Sequence, residues 1–200
     1  MTAPVRWALL LLAVWMVAAQ ADEQVLVCFN YGCAEMAPVR FREPELQAVR
    51  DLLDDAIGPA HERELLGVAI GWLLGLAGQQ TPIAADRGGN YADAEVNGRM
   101  DCIDHSTTTT RLLRMLERRG WLRWHRVLEP EVRHRVLFLQ HWSAVIEEEP
   151  RIPLRDEDPE TRLRYAVDSW FRDNGQPALV LPLESWLDGD GTIETSVGYE

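Results

Sequence analysis

Asp101-Cys102-Ile103-Asp104-His105, followed by Ser106 and the four threonines Thr107 to Thr110, is the stretch that organises the chain. It reads as a loop turning into a helix, with Arg111 to Arg119 as the helical body. Leu112, Leu113, Met115 and Leu116 give that body an apolar face at helical spacing, and Gly120 supplies a stop. A cysteine in the first turn of a helix lies beside unpaired backbone N–H groups and the positive end of the helix dipole. Both favour the thiolate, the reactive form. Asp101 and Asp104 act in the opposite sense unless they cap the helix or hold a cation.

Two further signals follow on segments that read as strands. His141 lies in Leu139-Gln140-His141-Trp142-Ser143-Ala144-Val145-Ile146, and Asp168 in Tyr165-Ala166-Val167-Asp168-Ser169-Trp170. A thiol, an imidazole to take and return its proton, and a carboxylate to hold the ring in one tautomer make a nucleophilic triad. Cys102, His141 and Asp168 occur in that order, each on a fitting element. His105 is a rival base, but one helical turn from Cys102 it is too near in sequence to oppose the thiol easily. A second rival is a metal cluster of Asp101, Cys102, Asp104, His105 and His141. A structural zinc site ordinarily shows two paired ligand motifs, and these are absent here. The expectation is no metal and no cofactor. Asp188-Gly189-Asp190-Gly191-Thr192-Ile193-Glu194 resembles the middle of a calcium loop. Trp186 and Val197 stand where the outer ligands would be, so a surface turn is expected.

The rest of the chain is read outward from this set. Its 200 residues suit one domain, and its composition, 46% hydrophobic and 26% charged, is that of a globular protein. The formal charge is −12 and all 20 basic residues are arginine. An acidic surface argues against nucleic acid or an anionic membrane as partner, because phosphate binding needs clustered positive charge. At the N-terminus Arg6, the apolar run Trp7 to Ala19 and Ala19-Gln20-Ala21 have the form of a secretory signal. Residues 1–21 would be removed and Asp22 would start a single mature domain, 22–200, with no membrane association after cleavage. The alternative is an uncleaved anchor, for which the run is short. Export would place the protein in the periplasm or outside the cell. Of the three cysteines, Cys28 and Cys33 flank the turn-like Phe29-Asn30-Tyr31-Gly32 and are near enough to form a local disulfide, leaving Cys102 free. The bland alternative is that both are small buried residues.

Val25–Cys28 and Pro38–Phe41 read as a loose hairpin. Pro44 opens a helix to about Ile57 with Leu46, Val49, Leu52 and Leu53 inside. A second helix, Ala60 to Ala77, is apolar on most sides and therefore central. Its Gly67, Gly71 and Gly75 suggest close packing against another helix. Gln79 to Met100 is a long loop running into Cys102 and is expected to wall the site. Strands are expected at Arg123–Leu128, Arg135–Glu147, Leu163–Phe171 and, at an edge, Ala178–Leu183. Helices followed by strands indicate an α+β fold, N-terminal helices packed on an antiparallel sheet.

Asp101-Cys102-Ile103-Asp104 before a helix, then Gln140-His141-Trp142-Ser143-Ala144-Val145, then Tyr165-Ala166-Val167-Asp168-Ser169, resembles the transglutaminase-like branch of the papain-like cysteine hydrolases. The closer likeness is to its exported bacterial members. The likeness covers about Met100 to Trp170, and implies a papain-like core over about 100–171. It further implies Cys102 as nucleophile, His141 as general base and acid, Asp168 as orienter, and an acyl-enzyme route on a peptide or amide bond. The Cys102 N–H would form part of the oxyanion hole, with Asn97 as a second donor and Tyr91 behind it. Ile103 stands where exported proteinases of this type carry an acidic calcium-contacting residue. The partner implied is a peptide or protein substrate; a catalytically inactive binding module of the cell envelope is the alternative.

Overall fold

A computed structural model describes residues 21–89, 92–135, 139–149 and 162–191; the signal-like segment before Ala21, Tyr91 and most of the acidic Glu147–Thr161 loop lie outside them. The chain begins with a regular hairpin of β1 (Glu23–Phe29) and β2 (Glu35–Phe41), antiparallel with Val25 opposite Val39 and Cys28 opposite Met36. It is longer than the sequence suggests. Alternation carries it: Val25, Val27, Phe29, Val39 and Phe41 turn inward and are buried. Pro38, which cannot donate to a ladder, is tolerated because the sheet has only these two strands.

Helix α1 (Glu43–Asp54) has Pro44 in its first turn and buries Leu46, Val49 and Leu53. Helix α2 (Pro59–Gly78) buries residues on most of its circumference, as its all-round apolarity predicts. Its glycines do not meet another helix. A Cβ at Gly67 would lie 2.6 Å from the Ala178 carbonyl oxygen, and one at Gly71 2.4 Å from that of Gln176. The Gln176–Ala178 backbone is laid across the helix, with the Ala178 N–H donating to the Gly67 carbonyl at 2.9 Å. An extended chain needs the same lack of side chains that a helix would, so the spacing alone could not tell the two apart.

Helix α3 (Cys102–Arg118) includes the threonine run, although threonine is a modest helix former. Two of its hydroxyls tie the helix to its surroundings. Thr108 Oγ1 accepts the Cys28 N–H at 3.0 Å, fastening β1 to the helix, and Thr109 Oγ1 lies 3.0 Å from Ser169 Oγ.

The C-terminal half is a five-stranded antiparallel sheet: β3 (His125–Val127), β4 (Glu131–Arg135), β5 (Leu139–Glu148), β6 (Arg164–Asp168) and β7 (Leu179–Pro182). The ten-residue β5 is the spine. β3 and β4 share one of its edges, β6 takes the other, and β7 closes the sheet beyond β6. The strand expected from Arg135 to Glu147 corresponds to β5, and β4, which was not expected, pairs with it antiparallel with Arg133 opposite His141. Glu131-Val132-Arg133-His134-Arg135 lacks apolar alternation, and no glycine, proline or asparagine follows before Leu139 as a sequence signal for a hairpin. β6 stops at Asp168, short of the expected Phe171.

One core joins the hairpin, α1, α2, α3 and the sheet face bearing Ala144, Ile146, Tyr165 and Val167. The opposite face carries Val145 and Ala166 under a short helix, α4 (Leu183–Asp188), through Leu183 and Trp186. The molecule is therefore a mixed α+β protein with antiparallel sheets. No helix among the described residues is long and apolar enough to cross a membrane.

Candidate active site

The start of α3 is an elaborate cap. Asp101 Oδ1 accepts the Ile103 and Asp104 N–H groups at 3.0 and 2.9 Å, and Asp104 Oδ2 accepts the Asp101 N–H at 3.1 Å, a reciprocal capping box. The remaining oxygens face the turn between β1 and β2. Asp101 Oδ2 accepts from Gly32 N, Asp104 Oδ2 from Tyr31 N, and Asp104 Oδ1 from Cys33 N, at 2.9, 2.8 and 2.6 Å. Asn30, Tyr31, Gly32 and Cys33 all have φ between 54° and 66°, a left-handed run unfavourable for the three non-glycine residues. The Cys28–Cys33 disulfide and the two carboxylates hold it in place. The two aspartates flanking Cys102 therefore serve the helix cap and this turn. Burial and the neighbouring Asp101 charge still push the Asp104 carboxyl up to about 6, against the pull of its N–H donors.

Strand geometry explains how a cysteine on one side of the sheet meets a histidine on the other. Along β5, even-numbered residues turn their backbone groups toward β6, as the Glu148 N–H bonded to the Leu163 carbonyl illustrates. Odd-numbered ones turn toward β3, as with the Val145 carbonyl and Leu128 N–H. β6 ends at Asp168, so beyond it the Gln140 carbonyl and Trp142 N–H face an open edge. Cys102, at the N-terminal end of α3, fills that edge: its Sγ lies 3.8 Å from the Gln140 oxygen, and the Trp142 N–H pulls on its thiolate form. The thiol is thus flanked by the backbone on either side of His141. Its partner is the Gln140 carbonyl rather than the His141 ring.

His141 and Asp168 share the sheet face under α4, Asp168 lying diagonally across the β5–β6 ladder. His141 Nε2 is 2.6 Å from Asp168 Oδ2. The same oxygen accepts Trp186 Nε1–H at 2.8 Å, and Asp168 Oδ1 accepts the Trp170 N–H at 3.1 Å. Rings of Trp170, Phe171 and Trp186 lie 4.9, 5.1 and 5.6 Å from the imidazole, leaving His141 only 8% exposed. With the Asp168 carboxylate as acceptor, a neutral ring carries its proton on Nε2 and its lone pair on Nδ1. Cys102 is half-buried and free. Burial, most of all, pushes its thiol up, with the Asp101 and Asp168 charges adding to it and the N–H groups of Trp142 and Cys102 itself opposing. The helix start thus does not by itself favour a thiolate here: removal from water, with the two carboxylate charges, outweighs the N–H groups.

The other expected residues fall differently. Asn97 is exposed and its Oδ1 accepts from Asn30 Nδ2 at 3.1 Å, placing it against the disulfide turn. His105 points inward, with Nδ1 2.8 Å from Ser169 Oγ and Nε2 3.0 Å from Asp86 Oδ2, away from any role as the thiol's base. Among the described residues the metal-like grouping is Cys28, Cys33 and Asp104, whose sulfurs are bonded to each other, rather than the set around Cys102 and His141. The Gln79–Met100 loop supports the site from behind: Gly89 N–H donates to the Trp170 carbonyl, and a Cβ on Gly88 would lie 2.6 Å from the Phe171 backbone. The calcium-like stretch begins as the last residue of α4, with Gly189 in the left-handed cap position. Trp186 is the site residue missed from sequence. Leu183, Trp186 and Leu187 after Pro182 carry the three-and-four spacing of one helical turn, which would have placed Trp186 on a buried face.

No family model, curated protein or solved structure matches this chain.

Proposed function

We propose that this is an exported cysteine hydrolase or acyl transferase of the transglutaminase-like type, acting on peptide or amide bonds. The observation that carries the reading is the shielded His141–Asp168 pair with the Cys102 thiol against the strand on both sides of His141. A helix opening on the nucleophile and packed on antiparallel strands that carry histidine and aspartate is also the papain-like core arrangement. The free Cys102 beside a closed Cys28–Cys33 bond supports an oxidising compartment, periplasmic or secreted, with residues 1–21 as a signal and 22–200 as one domain.

In this reading the thiol swings from the Gln140 carbonyl toward His141 Nδ1 as a carbonyl carbon arrives. Because the thiol is held protonated at neutral pH, His141 takes its proton in the same step that forms the S–C bond, acting as general base. The Cys102 N–H faces the oxyanion that develops. His141 then gives the proton to the departing amine, and water or a second amine releases the acyl group by the reverse sequence. Asp168 steadies the imidazolium, and the three rings keep water from that contact.

A second reading, a binding module without turnover, is favoured by the thiol's contact with the Gln140 carbonyl instead of His141, with burial pushing the thiol up. Acylation by 4-nitrophenyl acetate, read by mass spectrometry, separates the two. The hydrolase reading expects an acyl group on Cys102 at pH 7, formed roughly 10²–10⁴-fold more slowly in His141→Ala. Equal rates in the two proteins would leave the binding module. Iodoacetamide, which needs thiolate alone, checks the sign of the shift. Burial disfavours the thiolate, so labelling of folded His141→Ala should rise through a midpoint above the ordinary ~8.5.

A further inference from the structure

Behind the candidate triad lies a second buried polar chain that the proposed chemistry does not use. Asp86 Oδ1 accepts the Met100 N–H at 2.9 Å, two residues before Cys102, and Asp86 Oδ2 lies 3.0 Å from His105 Nε2. His105 Nδ1 is 2.8 Å from Ser169 Oγ, which is 3.0 Å from Thr109 Oγ1. Ser169 is bonded in sequence to Asp168, and the next N–H, that of Trp170, donates to Asp168 Oδ1. Asp86, His105, Thr109 and Ser169 are each at most 3% exposed. A neutral ring satisfies the chain in one direction: Nε2–H donates to the Asp86 carboxylate, the Ser169 hydroxyl donates to Nδ1, and the Thr109 hydroxyl donates to Ser169. No substrate reaches so enclosed a set, which removes a second serine-type active site from consideration.

The chain touches both halves of the candidate site. Through Met100 and the α3 backbone it holds the approach to Cys102; through Ser169 it holds the end of β6 where Asp168 leaves the ladder. Apolar packing between α3 and β5 is non-directional and lets one slide on the other at small cost, whereas a saturated hydrogen-bond chain fixes distance and rotation together. We propose that His105 is a positioning residue: with Asp86 and Ser169 it sets the place of Asp168, and hence the tautomer and angle of His141, relative to the start of α3. The catalytic use of that placement rests on the hydrolase reading; the placement itself does not.

The test uses the whole mature protein with ¹⁵N-labelled histidine. Nitrogen–proton correlation spectra read the His141 tautomer, which a merely structural role for His105 would leave alone. In the native protein His141 should carry its proton on Nε2. In His105→Leu and, should that variant fail to fold, in Ser169→Ala, the His141 nitrogen shifts should move toward a mixture of tautomers. His105→Gln should restore them, because its amide offers an N–H toward Asp86 and an oxygen toward the Ser169 hydroxyl. Acylation of Cys102 should follow, falling about tenfold to a hundredfold in His105→Leu or Ser169→Ala, the cost of a misplaced catalytic group. Native His141 shifts in a folded His105→Leu or in Ser169→Ala would overturn the proposal. Failure of the hydrolase reading shows separately, as acylation of native protein no faster than of His141→Ala, and the nitrogen shifts still decide the placement.

Discussion

Two buried histidine–carboxylate pairs make an instructive contrast: His125 with Glu62, and His141 with Asp168. Both rings are nearly buried, at 3% and 8% exposure, and both meet a carboxylate oxygen closely, at 2.7 and 2.6 Å. They differ in what else is bound. Glu62 also accepts the Arg123 and Trp124 N–H groups, at 2.7 and 3.1 Å, and the far nitrogen of His125 lies 3.3 Å from Arg63, itself paired with Glu148. That set stitches α2 to β3 with both ring nitrogens engaged. In the other pair Asp168 holds Nε2, while Cys102 lies against the Gln140 carbonyl, the backbone just before His141. A histidine with both nitrogens committed is a fastener; one with a nitrogen in reserve can move a proton.

The largest effect that sharpens this contrast is expected at the fastener. Glu62→Ala strands three donors in the core, and each buried donor left without a partner costs about 1–3 kcal/mol. Denaturant unfolding should show that loss while the protein that remains folded is acylated at Cys102 at the native rate. A parallel drop in acylation would mean that the two pairs are one unit and would break the contrast.

Next comes the disulfide. Cys28→Ser with Cys33→Ser frees a turn that also supplies N–H donors to Asp101 and Asp104. A loop this short should contribute less than the roughly 3 kcal/mol expected for fifteen residues. Urea midpoints of that variant should fall accordingly with Cys102 labelling retained, and thiol titration of the denatured native protein, with all three cysteines present, should rise from one group to three on reduction. A bridge to Cys102 in peptide maps of the resting protein would remove the free nucleophile.

The smallest effect concerns the orienter. Trp186→Phe keeps the ring over His141 but removes one hydrogen bond to Asp168, worth about 1 kcal/mol. Acylation of Cys102 should slow about fivefold, with the unfolding midpoint shifted only slightly. A loss as large as that of His141→Ala would make Trp186 part of the chemistry rather than its support.

Much of this was legible in the residues. Alternation in β1 and β2 and the helical stripes of α1 and α3 follow from periods of two and 3.6, local properties that a chain carries wherever it packs. The Asp101 cap is equally local, as is the short Cys28–Cys33 spacing. Less legible were β4, whose charged strand owes its state to pairing with β5, and α4, whose single turn is too short for periodicity to stand out. The glycine row on α2 announced a close approach without saying what approaches.

By itself the sequence determined the opening hairpin, the helices α1 to α3 and the α+β class, and it singled out Cys102, His141 and Asp168 as candidates, because these depend on residue type and near neighbours. Only the tertiary structure decided their company. The end of β6 at Asp168 exposes the backbone edge that Cys102 fills, α4 brings Trp186 onto the carboxylate, and burial pushes the thiol up against the N–H groups around it. Each depends on atoms far apart in the chain, and hydrogen-bond partners and water exclusion exist only once those atoms have met.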